Sequence, residues 1–305
     1  MSLSRRDFVA GAVGTVISSA LPVQSKKTAE RIARRPFGKT GFQASIYALG
    51  SAEIPGNEEA IPAIRSLIAA GVNYIDTAPS YQGTRSETAI GAAIEGRRQD
   101  LFIATKTLER SAEGAYREVC ESLERLKCKH IDLLQVHAVN DFATLDRVLA
   151  KGGAVEGLER ARKEGLIRHI GITGHTAPEV ILRAIGAYPF AAILIPISAL
   201  DFHVSDFATE VLPKAKELGI GIAGMKSLKG MEIASGGKFS PEPLIRYALS
   251  HPISTLTLGL RRSSEVEQNL AFFKAFKPMI ASEMTDLREQ VKPQSTVQNL
   301  WWKRR

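Results

Sequence analysis

The feature that most constrains this chain is a regular alternation of short apolar segments with longer amphipathic ones. The predicted strands are 46–49, 72–76, 101–105, 131–136, 167–172, 191–197, 220–225 and 254–258. The predicted helices are 57–70, 86–95, 112–127, 155–164, 178–186, 206–218, 241–250 and 263–276. Eight strands that alternate with eight helices over about 230 residues favour an α/β fold of the (β/α)₈ TIM barrel type over an open sheet.

Two further segments flank the predicted barrel. A Gly-Lys-Thr-Gly sequence at 38–41 lies between two short apolar stretches, which predicts an N-terminal hairpin. We therefore expect a barrel domain over 35–280, followed by a C-terminal helix and tail over 281–305. Trp301 and Trp302 are expected either to line a pocket or to anchor this tail on the barrel wall.

The N-terminus has the order of an export signal. Arg5 and Arg6 precede an apolar stretch too short to span a bilayer, and small residues follow it. The segment resembles a twin-arginine signal, with Phe8 at the matching position. We expect a signal peptide over 1–25, a linker over 26–34, export by the twin-arginine machinery to the periplasm, and no stable membrane insertion after cleavage. The alternative is a basic N-terminal helix on a cytoplasmic protein.

Charge and cysteine content exclude other classes of function. The net charge is +8, but the N-terminal 39 residues contribute +6 and the last three +3, so the body is nearly neutral. Such a distribution argues against nucleic-acid binding. Cys120 and Cys128 lie eight positions apart near one predicted helix, too far for a disulfide, and belong to no metal-ligand spacing. No metal site is expected.

Ionisable residues follow three consecutive predicted strands. Asp76, Lys106 and His137 end strands two, three and four, and Tyr81 lies on the loop after Asp76. Working groups of such barrels stand at the carboxyl ends of the strands. We therefore expect these four side chains to meet on one rim.

These residues stand in motifs that resemble the aldo-keto reductase family, and the resemblance runs from about residue 35 to about residue 276. The motifs are 73–81, 104–106, 131–137, 165–172 and 259–269. The resemblance implies a catalytic tetrad of Asp76, Tyr81, Lys106 and His137, and reduction of a small-molecule carbonyl compound or the reverse oxidation.

The chemistry accounts for these residue types. Hydride addition to a carbonyl builds negative charge on oxygen, so a proton donor must be in place. A free phenol has a pKa near 10, and lowering it by roughly three units requires about 4 kcal/mol. We expect the Lys106 ammonium to lower the pKa of Tyr81, Asp76 to hold Lys106 charged, and His137 to orient the substrate oxygen.

The resemblance also implies a nicotinamide cofactor that lies extended across the rim. No Gly-x-Gly-x-x-Gly sequence follows a strand, so a Rossmann site has no support. Arg261 and Arg262 are suited to a 2′-phosphate, which favours NADPH, with NADH as the alternative. For each arginine, a solvated basic helix start remains possible. The expected contacts after strands seven and eight are Lys226, Ser227, Gly259, Arg261, Arg262, Gln268 and Asn269.

Two positions depart from the family pattern. Thr173-Gly174, followed by His175, replaces a common Ser-Asn pair, and Leu194 replaces a common glutamine. The family uses the missing amides to hold the nicotinamide carboxamide, so we expect Thr173, Gly174 and His175 to contact the ring instead. The alternative for His175 is a loop histidine without a ligand. The departures keep open a rival function, a nucleotide-binding sensor or accessory protein with little turnover. The loops 138–154 and 227–240 and the segment 277–305 are expected to select the substrate.

Overall fold

An antiparallel hairpin packs against the amino-terminal end of a barrel in the computed structural model, which describes residues 31–303. Strand β1 (Arg34–Pro36) pairs with β2 (Gln43–Ser45). The turn between them requires glycine at position 38, where φ is +54° and a Cβ atom would lie 2.2 Å from the Gly221 nitrogen. Phe37 packs edge-on against Tyr74.

Eight parallel strands form a closed barrel. They are β3 (Tyr47–Gly50), β4 (Tyr74–Asp76), β5 (Phe102–Thr107), β6 (Ile131–Val136), β7 (Ile167–Thr173), β8 (Ala192–Pro196), β9 (Gly221–Met225) and β10 (Thr255–Gly259). Each strand pairs with the next in sequence, and β10 pairs back onto β3. The predicted barrel and hairpin are confirmed, with strand ends shifted by one or two residues.

Helices surround the barrel and follow its strands. They are α1 (Asn57–Ala69), α2 (Arg85–Ala93), α3 (Ala112–Leu126), α4 (Phe142–Leu149), α5 (Ala154–Lys163), α6 (Pro178–Ala187), α7 (Phe207–Glu210), α8 (Leu212–Glu217), α9 (Lys229–Ser235), α10 (Pro241–Ser250), α11 (Glu265–Lys274) and α12 (Ala281–Val291). No helix in the described part of the chain is long and apolar enough to cross a bilayer.

Three segments differ from the sequence-based expectation, at helices α4, α7–α8 and α9. The single helix predicted over 206–218 is divided into α7 and α8, because Pro213 lacks the N–H that a continuous helix needs. Helices α4 and α9 lie in segments expected to be loops. Asp141 caps α4 by accepting a hydrogen bond from the Thr144 backbone, a short-range signal that the sequence analysis did not use.

Two apolar layers hold the fold together. Aliphatic side chains pack between strands and helices, whereas small alanines and a few larger apolar side chains fill the barrel interior. A filled barrel has no pore, so its chemistry has to occur on the rim at the carboxyl ends of the strands.

Candidate active site

A buried ion pair between Asp76 and Lys106 lies at the rim. Asp76 ends β4, and the parallel register pairs it with Ala104, two residues before Lys106 on β5. The Lys106 Nζ donates to Asp76 Oδ1 at 2.5 Å and to the Thr77 carbonyl at 2.7 Å. Burial is the largest single effect and lowers the pKa of Lys106, but Asp76 and Tyr81 together raise it further, so the net pKa is raised. Lys106 therefore carries a positive charge at neutral pH.

Gln135 belongs to the same cluster and was missed by the sequence analysis. It lies beside Lys106 in the register of β5 and β6, and its Nε2 donates to Asp76 Oδ2 at 3.0 Å. Burial raises the pKa of Asp76, while Lys106 and Gln135 act in the opposite direction without cancelling that effect. Residues two positions apart on a strand face the same side. The spacing of Gln135 from His137 could therefore have indicated that both side chains face the site.

Tyr81 faces Lys106 from the loop after β4. The Lys106 Nζ lies 4.6 Å from the centroid of the Tyr81 ring. The next three residues, Gln82, Gly83 and Thr84, all have left-handed backbones with φ of 52°, 61° and 71°. For residues other than glycine such conformations cost on the order of 1 kcal/mol each and cluster at functional sites. The surrounding fold therefore imposes this loop conformation and places the phenol next to the ammonium.

The pKa of Tyr81 differs from the sequence-based expectation. Burial raises it, the charge of Lys106 lowers it, and the Asp76 carboxylate raises it again, so the net pKa lies above 10. The expectation of a lowered pKa is wrong for this structure because it considered the ammonium without the burial. Tyr81 keeps its proton at neutral pH and is a potential proton donor.

His137 completes the tetrad directly after β6. Its backbone N–H donates to the Thr107 carbonyl at 2.9 Å, and its ring centroid lies 6.1 Å from that of Tyr81. Burial and the nearby Lys106 lower the pKa of His137 to about 2. Its Nδ1 is buried and has no hydrogen-bond partner among the described residues. The imidazole is therefore neutral near pH 7, and one nitrogen can donate to a substrate oxygen.

Thr173 and Gly174 contact backbone atoms of the rim. The Thr173 hydroxyl is buried and accepts a hydrogen bond from the Ala138 N–H at 2.8 Å. A Cβ at Gly174 would lie 2.8 Å from the Ile181 side chain and 2.9 Å from the Val139 carbonyl oxygen. An asparagine in place of Gly174 does not fit this backbone, which gives a steric reason for the departure at this position.

His175 lies beside His137, with ring centroids 6.4 Å apart. Burial and the positive charges of Lys226 and Lys106 lower the pKa of His175 to about 3, so its ring is also neutral near pH 7. Its side chain is only partly buried and remains available to a ligand. The cofactor contacts expected for Thr173, Gly174 and His175 stay predictions.

A cleft of about 350 Å³ extends from the tetrad toward α11. Asp76 and Tyr81 line one end, and Gln268 and Asn269 line the other. Six residues expected to bind the cofactor line this cleft: Lys226, Ser227, Gly259, Arg261, Gln268 and Asn269. Arg262 is exposed outside the lining residues, so its phosphate contact stays a prediction.

Polar groups inside the cleft fit an extended nucleotide. The hydroxyls of Ser227 and Thr257 are buried in its wall and have no hydrogen-bond partner among the described residues. Asn269 makes only long contacts, at 3.4 Å to the Tyr47 hydroxyl and 3.5 Å to the Gly259 carbonyl. Buried polar groups without partners are costly, and phosphate, ribose or base atoms can satisfy them.

Four charged residues form a network across the rim of the cleft. Glu53, after β3, accepts from Lys229 Nζ at 2.9 Å and from Arg261 Nε at 2.6 Å. Glu232 of α9 also binds the Arg261 guanidinium. Arg261, assigned to a phosphate by the sequence analysis, is thus paired with two carboxylates. Residues 208 positions apart in sequence meet here, so no local pattern could reveal this network.

The C-terminal segment is anchored next to the site. Lys303 and Asp201 are each about 1% exposed in their side chains, with Nζ and Oδ1 3.4 Å apart. Thr176 donates to the Trp302 carbonyl at 3.1 Å. Trp302 is buried, whereas Trp301 is 49% exposed, and neither lines the main cleft. For Trp302, these contacts support the expectation that it anchors the tail on the barrel over the expectation that it lines a pocket.

Comparisons with known proteins agree with this geometry. The chain is 26% identical over 315 residues to L-galactose dehydrogenase of Arabidopsis thaliana, covering 89% of this chain and 97% of that protein. An aldo-keto reductase from Bacillus halodurans, in its holo form, has a TM-score of 0.72 at 22% identity, covering 85% of this chain and 96% of that one. An aldo-keto reductase from Klebsiella pneumoniae, solved in complex with NADPH, has a TM-score of 0.67 at 19% identity, covering 85% and 94%. The two solved structures share the fold. The profile of the aldo/keto reductase family matches residues 48–238, and the chain therefore belongs to that family.

Proposed function

We propose that this protein reduces an aldehyde or ketone to an alcohol with NADPH, or catalyses the reverse oxidation, with Tyr81 as the general acid or base. The observation that carries the proposal is the assembly of a protonated phenol, a buried charged lysine and a neutral imidazole at one end of the cleft. Family membership supports it, as does the NADPH complex of the aldo-keto reductase from Klebsiella pneumoniae.

The residues of the chain divide the work of carbonyl reduction. When bound, the reduced nicotinamide supplies the hydride. Tyr81 donates a proton to the carbonyl oxygen, and the adjacent Lys106 charge stabilises the phenolate that remains. Asp76 keeps Lys106 protonated and fixed. His137 donates a hydrogen bond that orients the substrate oxygen. Because burial raises the pKa of Tyr81, the phenol carries at neutral pH the proton that reduction consumes, whereas the reverse oxidation begins from the phenolate.

NADPH is the proposed cofactor. Ser227, Gly259 and Asn269 line the cleft that would hold it, and Arg261 and Arg262 follow β10 where a 2′-phosphate is expected. A guanidinium pairs with phosphate through charge-assisted hydrogen bonds. We expect a lower Kd for NADPH than for NADH in titrations at low salt. Equal Kd values would contradict the 2′-phosphate assignment.

A steady-state assay tests the proposed activity. The purified protein is mixed with an excess of NADPH and 4-nitrobenzaldehyde. Oxidation of NADPH is followed at 340 nm until many equivalents per enzyme have reacted. We expect continuous turnover that stops when either substrate is omitted. Oxidation limited to one equivalent per protein, or none, would remove the enzyme assignment.

A sensor or accessory protein is the second candidate function. Gly174 has no room for an amide side chain, and Leu194, which has no polar group, lines the cleft. The nicotinamide ring thus lacks the two side-chain amides that the family commonly supplies. Tight nucleotide binding combined with a single oxidation event in the same assay would favour this function.

We also propose export by the twin-arginine route to the periplasm. Arg5, Arg6 and Phe8 carry this proposal, and they lie outside the described residues. This route carries folded proteins, so the cofactor can travel already bound.

A further inference from the structure

Lys226 stands out among the lysines of the rim because of its backbone. It directly follows β9 and has a φ of 63°, one of five positive values at described residues other than glycine. This conformation is strained, and strain of this kind persists where the surrounding structure fixes a functional group. The residue lines the same cleft as Asp76 and Tyr81.

Lys226 also differs from its neighbours in lacking an acidic partner. Lys106 pairs with Asp76, Lys229 with Glu53, and Lys303 with Asp201. Within residues 31–303, no carboxylate forms an ion pair with Lys226. Its Nζ lies instead 5.4 Å and 5.5 Å from the ring centroids of two tryptophans, Trp301 and Trp302.

The surroundings of Lys226 offer further attraction for an anion. The indole N–H of Trp302 is buried and has no hydrogen-bond partner in the described part of the chain. The charge of Lys226 reaches His137 and His175, and it lowers the pKa of both. A partly desolvated cation beside an unused donor is stabilised when an anion binds between them.

We propose that Lys226 and the Trp302 indole N–H form a binding site for an anionic group of the substrate, so that the preferred substrates are aldehydes or ketones carrying a carboxylate. The inference rests on the proposed function, and it names the substrate class. Lys226 and Tyr81 line the same cleft, so a substrate held by its carboxylate on Lys226 can present its carbonyl group to Tyr81. The sequence analysis assigned Lys226 to the cofactor, and this proposal assigns it to the substrate instead.

A pyrophosphate of the nucleotide is the other anion that Lys226 can reach, and kinetics separate the two. We compare kcat/KM for 4-carboxybenzaldehyde and 4-nitrobenzaldehyde, which have similar size and differ in charge. The wild type is expected to prefer the carboxylate, and Lys226→Met is expected to lower that preference by about tenfold or more. Lys216→Met removes an exposed ammonium on α8, outside the lining of the cleft, and serves as the control; its preference ratio is expected to equal that of the wild type.

Binding tests the site without turnover. The only two tryptophans of the chain, Trp301 and Trp302, both adjoin Lys226, so intrinsic fluorescence reports on this site. We expect benzoate to change the emission saturably in the wild type and in Lys226→Arg, but not in Lys226→Met. The neutral analogue benzamide is expected to have no such effect. Lys226→Arg keeps the charge and shows whether a loss in Lys226→Met reflects misfolding.

Two outcomes overturn the site. One is a benzoate response that Lys226→Met retains. The other combines three results: saturating NADP⁺ abolishes the benzoate response, Lys226→Met lowers kcat/KM equally for both aldehydes, and Lys226→Met binds NADPH more weakly. Together these results would assign the ammonium to the pyrophosphate. Wild-type protein that binds benzoate but turns over neither aldehyde would refute the proposed function and leave the anion site standing.

Discussion

Protonation states decide what the residues of this site can do. Tyr81 is a protonated phenol, Lys106 a charged amine, and both His137 and His175 are neutral. The residue types of the tetrad could be predicted from sequence because each follows a strand end. Their pKa values could not, because burial has the largest effect on the pKa of each tetrad residue and depends on neighbours distant in sequence.

Gln135→Leu tests whether Gln135 positions and tunes the Asp76 carboxylate. The variant removes the donor at 3.0 Å from Asp76 Oδ2 while keeping a side chain of similar length. Because the variant loses a hydrogen bond to a charged group, we expect kcat to fall about tenfold. Because Gln135 lowers the pKa of Asp76, the acidic limb of the kcat–pH profile should move to higher pH. A pH profile identical to that of the wild type would show that Gln135 is only a packing residue.

The neutral histidines predict sensitivity to acid. Folded-state pKa values of about 2 for His137 and about 3 for His175 lie below the unfolded value, so the unfolded chain binds more protons. The stability they support is present above about pH 6.5 and is lost as pH falls toward those folded values. Each contributes at most about 1.4 kcal/mol per pH unit. Urea unfolding from pH 7.5 to 5.5 should therefore show a shallower loss for His175→Gln than for the wild type. Equal slopes would contradict a His175 that stays neutral in the folded protein.

At the level of elements, two loops and helix α9 meet over the cleft through ion pairs. Glu53 follows β3, Glu232 lies in α9, and Arg261 follows β10, so their pairing ties separate parts of the rim together. Strand and helix positions could be predicted from periodicity, because that signal is local. The network could not, since it depends on closure of the barrel between β10 and β3.

Glu53→Gln combined with Glu232→Gln removes both carboxylate partners of Arg261. Because the ion pairs then no longer tie the rim together over the cleft, release of NADPH is expected to be several-fold faster. High salt should speed release from the wild type more than from the double variant, since exposed ion pairs are screened. Stopped-flow displacement measures the rate. Glu289→Gln removes a carboxylate from an exposed pair on α12 and serves as the control. An unchanged release rate in the double variant would mean that the network does not retain the nucleotide.

For the whole chain, the barrel architecture followed from the number and order of strands, and the structure confirms it. The steric exclusion at Gly174 and the anchored tail required coordinates, because both depend on contacts between segments far apart in sequence. The site therefore combines a tetrad that sequence motifs identify with a surrounding rim that they do not.

The proposed export depends on the N-terminal segment and is tested on the full chain. Replacing both Arg5 and Arg6 by lysine preserves charge but changes the paired guanidinium groups. We expect the wild type in the periplasmic fraction and the double variant in the cytoplasmic fraction, with immunoblotting as the readout. Equal distribution of the two proteins would support the cytoplasmic alternative.

The central claim is that the Tyr81 hydroxyl supplies the proton for carbonyl reduction, and Tyr81→Phe tests it most directly. The variant loses one oxygen atom, so its Kd for NADPH should stay within about twofold of the wild type, while kcat falls by roughly 10²–10⁴-fold. Tyr116→Phe, which removes a hydroxyl at the surface of α3 that bonds to Glu164, should retain full activity. Turnover by Tyr81→Phe close to that of the wild type would contradict the account.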